Sequence, residues 1–280
     1  MDSSGWHHPE VVDLVSRALT EDIGEGDITT RLTVPRGRRA SGKFFARDTM
    51  VLAGVELLPL IYAARGGLER LQLKAASGSQ VAEGDCIAEV EGLAATLLEC
   101  ERTALNFMQR LSGIATLASQ FAAEVAHTKC KVLDTRKTTP GLRRVEKLAA
   151  AAGGVTNHRM GLYDVVLIKN NHICAAGGVR QALQASLPSG LAVEIEVRTR
   201  EELDEALENG AKRLLLDNLS AAEAKVWIDY IAGRASSEIS GGVVLETVRA
   251  YAEAGADFVS SGAITHSSIS RDLNFRLTLL

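Results

Sequence analysis

A chain of 280 residues that is 46 % hydrophobic, 24 % charged and only 4 % aromatic can build one large α/β domain or two unequal ones, each with a core. Its net charge of −4 argues against a general nucleic-acid or membrane-surface binder, since both need a basic footprint. Cys86, Cys100, Cys130 and Cys174 show no CxxC or Cys/His metal spacing, so free thiols are expected. The opening MDSSGWHHPE lacks a basic and apolar leader pattern, and no apolar run approaches membrane-spanning length, so the protein is expected to be soluble and cytoplasmic.

In chain order, residues 9–20 predict an amphipathic helix with Val11, Val12, Leu14, Val15, Ala18 and Leu19 on one side. EDIGEGDITTRL (21–32) is expected to be a loop in which Thr29 or Thr30 caps; its acids lack Ca²⁺-loop spacing. Residues 40–92 change to short alternating segments, Gly42–Ala46, Leu71–Ala75 and Cys86–Val90, with a helix at Leu57–Ala64. That is a small sheet-plus-helix domain. From Ala95 to about Val125 the period becomes helical, with Leu105, Met108, Leu111, Ala115, Ala118 and Phe121 on one face and Gly113 as a candidate break. Arg102 at its polar start has two readings, an ion pair with Glu99 or Glu101, or a ligand contact.

Six short strand candidates then alternate with helices: Lys131–Leu133, Val165–Ile168, Val193–Val197, Arg213–Leu216, Glu238–Ser240 and Phe258–Ser260. Thr199 with Glu202 and Ser220 with Glu223 are capping-box pairs. Apolar parallel strands with crossover helices predict a parallel α/β barrel, and six strands where eight would close it predict an open, incomplete one. The tail alternates Leu273, Phe275, Leu277 and Leu279, a strand that would return to the N-terminal sheet.

Polar groups stand where these strands end: Thr135-Arg136-Lys137, Lys169, Glu196, Asp217, Ser240-Gly241-Gly242, and Ser261-Gly262-Ala263 after Ser260. Strand C-termini of a barrel converge on one mouth, where active sites form. The stretch from Asp134 to His172 also concentrates cations: Arg136, Lys137, Arg143, Arg144, Lys147, His158, Arg159, Lys169 and His172. Arginines grip carboxylates or phosphates bidentately, so this stretch predicts a strongly acidic small ligand. The alternative is a solvated basic face paired with Glu146, Asp164 and other acids. His158 reads either as a structural histidine or as a ligand contact, and His172 as a surface or supporting residue. Glu196 and Asp217, on adjacent strand ends, suit Mg²⁺ or pair with lysines of the cluster. Glu194 is expected to face away from Glu196 and is left out. The two glycine loops are phosphate candidates, because backbone amides can approach closely there.

Taken together, EDIGEGDITT, VLAGVE, ERTALNFMQRLSGIAT, the block from DTRKTTP to VVLIKNNHI, EIEV, LLLDN, SGG and SSGAITHS resemble the quinolinate phosphoribosyltransferase family over nearly the whole chain. The resemblance implies an N-terminal α/β sandwich at 1–103 joined by 266–280, and an open α/β barrel at 104–265. It implies phosphoribosyl transfer from phosphoribosyl pyrophosphate to quinolinate with loss of CO2, Mg²⁺ as cofactor, and a homodimer with higher assembly left open. Arg102 would reach quinolinate across the dimer; Arg136, His158, Arg159 and Lys169 would form the pocket. Thr135 would line it; Lys137, Glu196 and Asp217 would be catalytic, the two acids holding the metal, and Ser240–Gly242 and Ser261–Ala263 would hold phosphate. Asn170 departs from the acid the family often carries there. The rival readings are a same-fold enzyme for nicotinate or another heterocyclic acid, and a non-catalytic binder of a phosphorylated metabolite.

Overall fold

The computed structural model describes the chain from Ser3 to Leu280, with side chains from Gly5; Met1 and Asp2, part of the leader reading above, lie outside the described residues. Two compact units form. One takes the chain up to Ser119 with Thr139–Gly154 and Ser267–Leu280, and the other takes Gln120–Thr138 and Val155–His266.

In the first unit, α1 (Pro9–Ile23) buries Val11, Leu14, Val15 and Leu19 of the expected stripe, while Ala18 is half-buried and Val12, one residue round from Val11, is exposed. The expected loop after it is partly helical. α2 (Ile28–Thr33) is capped by Asp27, whose Oδ1 accepts the Thr30 N–H at 2.9 Å, so Asp27 and not Thr29 or Thr30 is the cap. β1 (Arg39–Ala46), β2 (Met50–Val51), α3 (Leu58–Ala63), β3 (Arg70–Leu73), β4 (Gln80–Val81) and β5 (Cys86–Leu93) follow. α4 (Ala94–Val125) is one helix of 32 residues. Gly113 does not break it: a Cβ there would run into the Ile269 carbonyl, so this glycine admits a close backbone crossing.

The chain then alternates β6 (Lys131–Leu133), α5 (Arg143–Ala152), β7 (Val166–Ile168), α6 (Asn170–Ala176), α7 (Val179–Ser186) and β8 (Val193–Val197). It continues with α8 (Arg200–Glu208), β9 (Arg213–Asp217), α9 (Ala221–Ile231), β10 (Ser236–Ser240), α10 (Leu245–Glu253), β11 (Phe258–Ser260), α11 (Ala263–His266) and β12 (Leu273–Leu279). Of these, α5 and β12 belong to the first unit. β12 pairs antiparallel with β1, setting Phe44 opposite Phe275 with ring centroids 4.7 Å apart, and completes a sheet in the order β12-β1-β5-β3.

The second unit holds all six expected strands in a sheet ordered β6-β11-β10-β9-β8-β7, parallel throughout. β6 and β7 are its edges, so the barrel stays open. Alternation sends Ile195, Val197, Leu214, Leu216, Ile239 and Val259 into the core, which leaves the other face of each strand for the site. The Ser220–Glu223 capping box has both arms. Thr199 makes only one, because the Glu202 carboxylate accepts the Arg198 N–H instead. All four cysteines are free, and among the described residues no helix is long and apolar enough to cross a membrane.

Candidate active site

The site is built on strand ends of the second unit. β6 runs into Asp134, fully buried, whose carboxylate accepts the His158 N–H and the Asn157 side-chain amide, both at 2.7 Å. That pins the Asn157-His158-Arg159 turn beside Arg136. The two guanidiniums are electrostatic neighbours: burial, then the charge of Arg136, lowers the proton affinity of Arg159. Arg136 Nε is buried without a hydrogen-bond partner, while Arg159 spends one N–H on the Val165 carbonyl at 3.3 Å. Two half-buried guanidiniums held together, one with an unused buried donor, form an anion receptor.

Lys137 follows on the same strand end. Its N–H donates to Thr135 Oγ1 at 3.0 Å, and its Cδ lies so close over Gly262 that a Cβ at 262 would approach it to 2.7 Å. Gly241 is required more strictly: its φ of +93° suits glycine, and a Cβ would strike Asn218, whose backbone nitrogen as well as its side chain lies within reach. The backbone N–H groups of Gly241, Gly242 and Gly262 have no hydrogen-bond partner among the described residues. Ser261 differs from the phosphate expectation. Its hydroxyl donates to the Val243 carbonyl at 2.7 Å and accepts the Ala263 N–H at 3.2 Å, so Ser261 and Ala263 tie one loop to the next and leave Gly262 as the loop's unused amide.

Glu196 ends β8 and Asp217 ends β9, on neighbouring strands. Among the described residues neither pairs with a lysine, and Asp217 accepts only from its neighbour Asn218, at 2.6 Å. Two carboxylates without cationic partners suit a hard cation that keeps part of its water shell.

The expectation for Glu194 was wrong. It stands two residues from Glu196, so alternation puts both on one face. Glu194 is buried and meets Arg213 at 2.9 Å and His158 Nε2 at 3.3 Å. Arg213 also pairs with buried Glu238, which lies 3.5 Å from His158 Nε2. Sequence reasoning missed Arg213 and Glu238, although Glu238 stands two residues before Ser240 on the same parity. Burial opposes charge on the imidazole, and the two carboxylates outweigh it and raise its proton affinity. His158 Nδ1 accepts the Arg159 N–H at 2.7 Å, which needs its lone pair, so in the neutral ring that makes this bond the one proton sits on Nε2 toward the acids. Burial, with help from the Glu238 charge, raises Glu194; Glu238 is lowered in spite of burial by His158 and Arg213. Among the described residues His158, Glu194 and Glu238 are the one trio of metal-type ligands within 4.8 Å, but Arg213 already bridges both carboxylates.

Arg144 pairs with Glu10 at 2.7 Å, and α5, with Arg143 and Lys147, belongs to the first unit. Of the acids in the solvated-face alternative, Glu146 binds Arg110, outside the stretch, whereas Asp164 accepts the Met160 and Gly161 amides and its charge also acts on Arg159. His172 Nδ1 accepts the Lys169 N–H at 2.9 Å, a structural role at the start of α6. That turn leaves the Lys169 side chain exposed. Asn170 accepts a hydrogen bond from Arg198, a neutral acceptor where an acid would make an ion pair. Arg102, in the first unit, is exposed; Glu99 is taken by Arg65 at 2.7 Å, so the Arg102–Glu99 pair does not form.

Residues 27–112 match the model for "Quinolinate phosphoribosyl transferase, N-terminal domain", and residues 114–276 match that for its C-terminal domain. The chain is 39 % identical to quinolinate phosphoribosyltransferase [decarboxylating] 1b of Nicotiana tabacum over 96 % of its own length and 83 % of the relative's. It is 34 % identical to the probable nicotinate-nucleotide pyrophosphorylase [carboxylating] of Bacillus subtilis, over 98 % and 95 %. The crystal structure of NadC from Streptococcus pyogenes superposes with a TM-score of 0.91 at 34 % identity, covering 100 % of this chain and 99 % of that one. Since both domain models match, relatives of 34–39 % identity are covered over most of their length and a solved structure shares the fold, the chain belongs to the quinolinate phosphoribosyltransferase family.

Proposed function

We infer that this chain transfers the phosphoribosyl group of phosphoribosyl pyrophosphate to quinolinate and releases diphosphate and CO2, forming nicotinate mononucleotide for NAD synthesis. The observation that carries this reading is the Arg136–Arg159 pair, with its buried, unused Nε. Two adjacent carboxylates need more cations than one, and a pair of guanidiniums suits a dicarboxylate. Thr135, His158 and Lys169 complete the acid-binding wall. The free amides of Gly241, Gly242 and Gly262 suit phosphate oxygens, with Ser240, Ser261 and Ala263 holding their loops.

In the reaction the C1–O bond to diphosphate breaks and a bond from the pyridine nitrogen to C1 forms. Positive charge builds on the sugar, where Glu196 and Asp217 stabilise it, while Lys137 faces the departing diphosphate. Once the ring nitrogen is cationic, CO2 leaves from C2, because the adjacent positive charge stabilises the electron pair left on that carbon until it takes a proton. Glu196 and Asp217 also fit Mg²⁺, which when bound would offset charge on the leaving group. Holding two anions side by side supplies much of the rate. We also propose a cytoplasmic homodimer in which Arg102, exposed and without an ion pair to Glu99, reaches the partner's quinolinate.

The purified protein with Mg²⁺ and phosphoribosyl pyrophosphate should release CO2 from quinolinate and diphosphate from the sugar phosphate, and turn nicotinate over about 10²-fold less well or worse, because a missing carboxylate leaves a buried cation unpaired. Comparable turnover of nicotinate would favour the monocarboxylate enzyme, and binding without turnover the non-catalytic reading. For the shared site, Arg102→Ala and Lys137→Ala proteins, each inactive, should regain activity when their subunits are exchanged. Continued inactivity after confirmed exchange would rule out donation in trans.

A further inference from the structure

The interior of an α/β barrel is normally filled by branched apolar side chains. Here three strands carry charge instead. Glu194 precedes Glu196 by two residues, Arg213 precedes Asp217 by four, and Glu238 precedes Ser240 by two, so alternation puts each on the face that bears its strand-end residue. The Arg213 guanidinium reaches Glu194 on β8 and Glu238 on β10, and lies 4.4 Å from the ring centroid of Phe258 on β11. One side chain therefore engages four consecutive strands. Stability is a poor reason for this, since a buried ion pair rarely outweighs its desolvation and an apolar replacement is often neutral or better.

What the cluster does reach is His158. Its Nε2 faces both carboxylates, and its Nδ1 holds the Arg159 amide. Both ring nitrogens thus have protein partners. We propose that Arg213, Glu194 and Glu238 are positioning residues of the acid-binding wall: they fix the His158 ring, which fixes the Arg159 backbone and so the aim of its guanidinium. The proposal rests on the quinolinate reading above. His158 acts through Arg159 and not by offering a ring N–H to the ligand. Asp134 pins the same turn from its other side, through the His158 N–H.

The test replaces the cluster as a unit, Glu194→Met with Arg213→Met and Glu238→Met, beside the single change Arg213→Lys, which keeps charge but loses the fork. Wild-type turnover of quinolinate tests the function reading; the variants test the cluster. The expected result is a folded triple variant whose KM for quinolinate rises about 10- to 100-fold, as misplacement of a binding group by a fraction of an ångström to 1 Å produces. The KM for phosphoribosyl pyrophosphate should change less than about 2-fold, since that substrate relies on other groups. Arg213→Lys should share the quinolinate defect. A folded variant with wild-type quinolinate KM, or equal rises for both substrates, overturns the proposal. If the triple variant does not fold, Arg213→Lys decides by the same criteria. An activity-independent arm uses ¹⁵N-histidine NMR of the whole protein. At a pH above its raised pKa, where the ring is neutral, the wild type should show His158 as the Nε2–H tautomer and Arg213→Lys should lose that signature; identical ring spectra overturn the proposal even if the wild type proves inactive on quinolinate.

Discussion

Arg136→Met is expected to lower kcat/KM for quinolinate by about 10²- to 10³-fold while leaving thermal stability unchanged or slightly raised. The two effects have opposite signs for one reason. With no ligand, the Arg136 guanidinium stands beside that of Arg159, and its Nε is buried without a partner. Removing it relieves like-charge repulsion and an unsatisfied donor. With quinolinate bound, the same donor meets a carboxylate in a desolvated contact. Breaking such a pair costs about 2–5 kcal/mol, and about 1.4 kcal/mol is a factor of ten. Arg136→Lys should recover little, because an ammonium cannot make the paired N–H contacts of a guanidinium. Steady-state kinetics with quinolinate varied and a thermal melt of the ligand-free protein check both signs. A lower melting temperature with unchanged kcat/KM would make Arg136 a structural residue.

Much of this site was legible because its signals are local. Each barrel strand is a short apolar run, and a polar residue just past its end stands out, which marks Arg136, Lys169, Glu196, Asp217 and the two glycine loops. The buried cluster gave no such signal. Arg213 opens β9 as an ordinary flanking arginine would, and Glu238 sits in SSEIS, where neighbouring serines make it look exposed. Only the pairing of β8, β9 and β10 brings Glu194, Arg213 and Glu238 together. For Glu194 the signal existed and was misapplied, since residues two apart share a strand face. Gly113 reads as a breaker in isolation, yet its reason is the Ile269 backbone, more than 150 residues away in the chain. His172 and Asp27 serve backbone amides, and which of several adjacent polar residues does so depends on where the helix starts.

The largest stability effect is expected at Glu146, which the basic stretch made look like a surface counter-ion. Its side chain is fully buried and accepts four hydrogen bonds. Arg110 donates twice, at 3.2 and 2.9 Å, and Thr139 donates its N–H at 3.0 Å and its hydroxyl at 2.8 Å. Arg110 also donates to Ser268, at 3.1 Å to the carbonyl and 3.0 Å to Oγ. One carboxylate and one guanidinium therefore tie α4, the segment before α5, α5 itself and the tail before β12 within the first unit. Glu146→Ala strips the counter-charge from a partly buried guanidinium and leaves the Thr139 donors unpaired. That should cost about 3–5 kcal/mol, or roughly 5–15 °C in melting temperature for a protein of this size. Glu146→Gln keeps the shape and an acceptor, and should lose about 1–3 kcal/mol. Arg110→Met alone should be about as damaging as Glu146→Ala, because it strands a buried carboxylate. Arg110→Met combined with Glu146→Leu should recover part of the loss, since the charges leave together. Denaturant melts of the four variants separate these outcomes: additive losses in the double variant would mean that the two side chains act independently, contrary to their contacts.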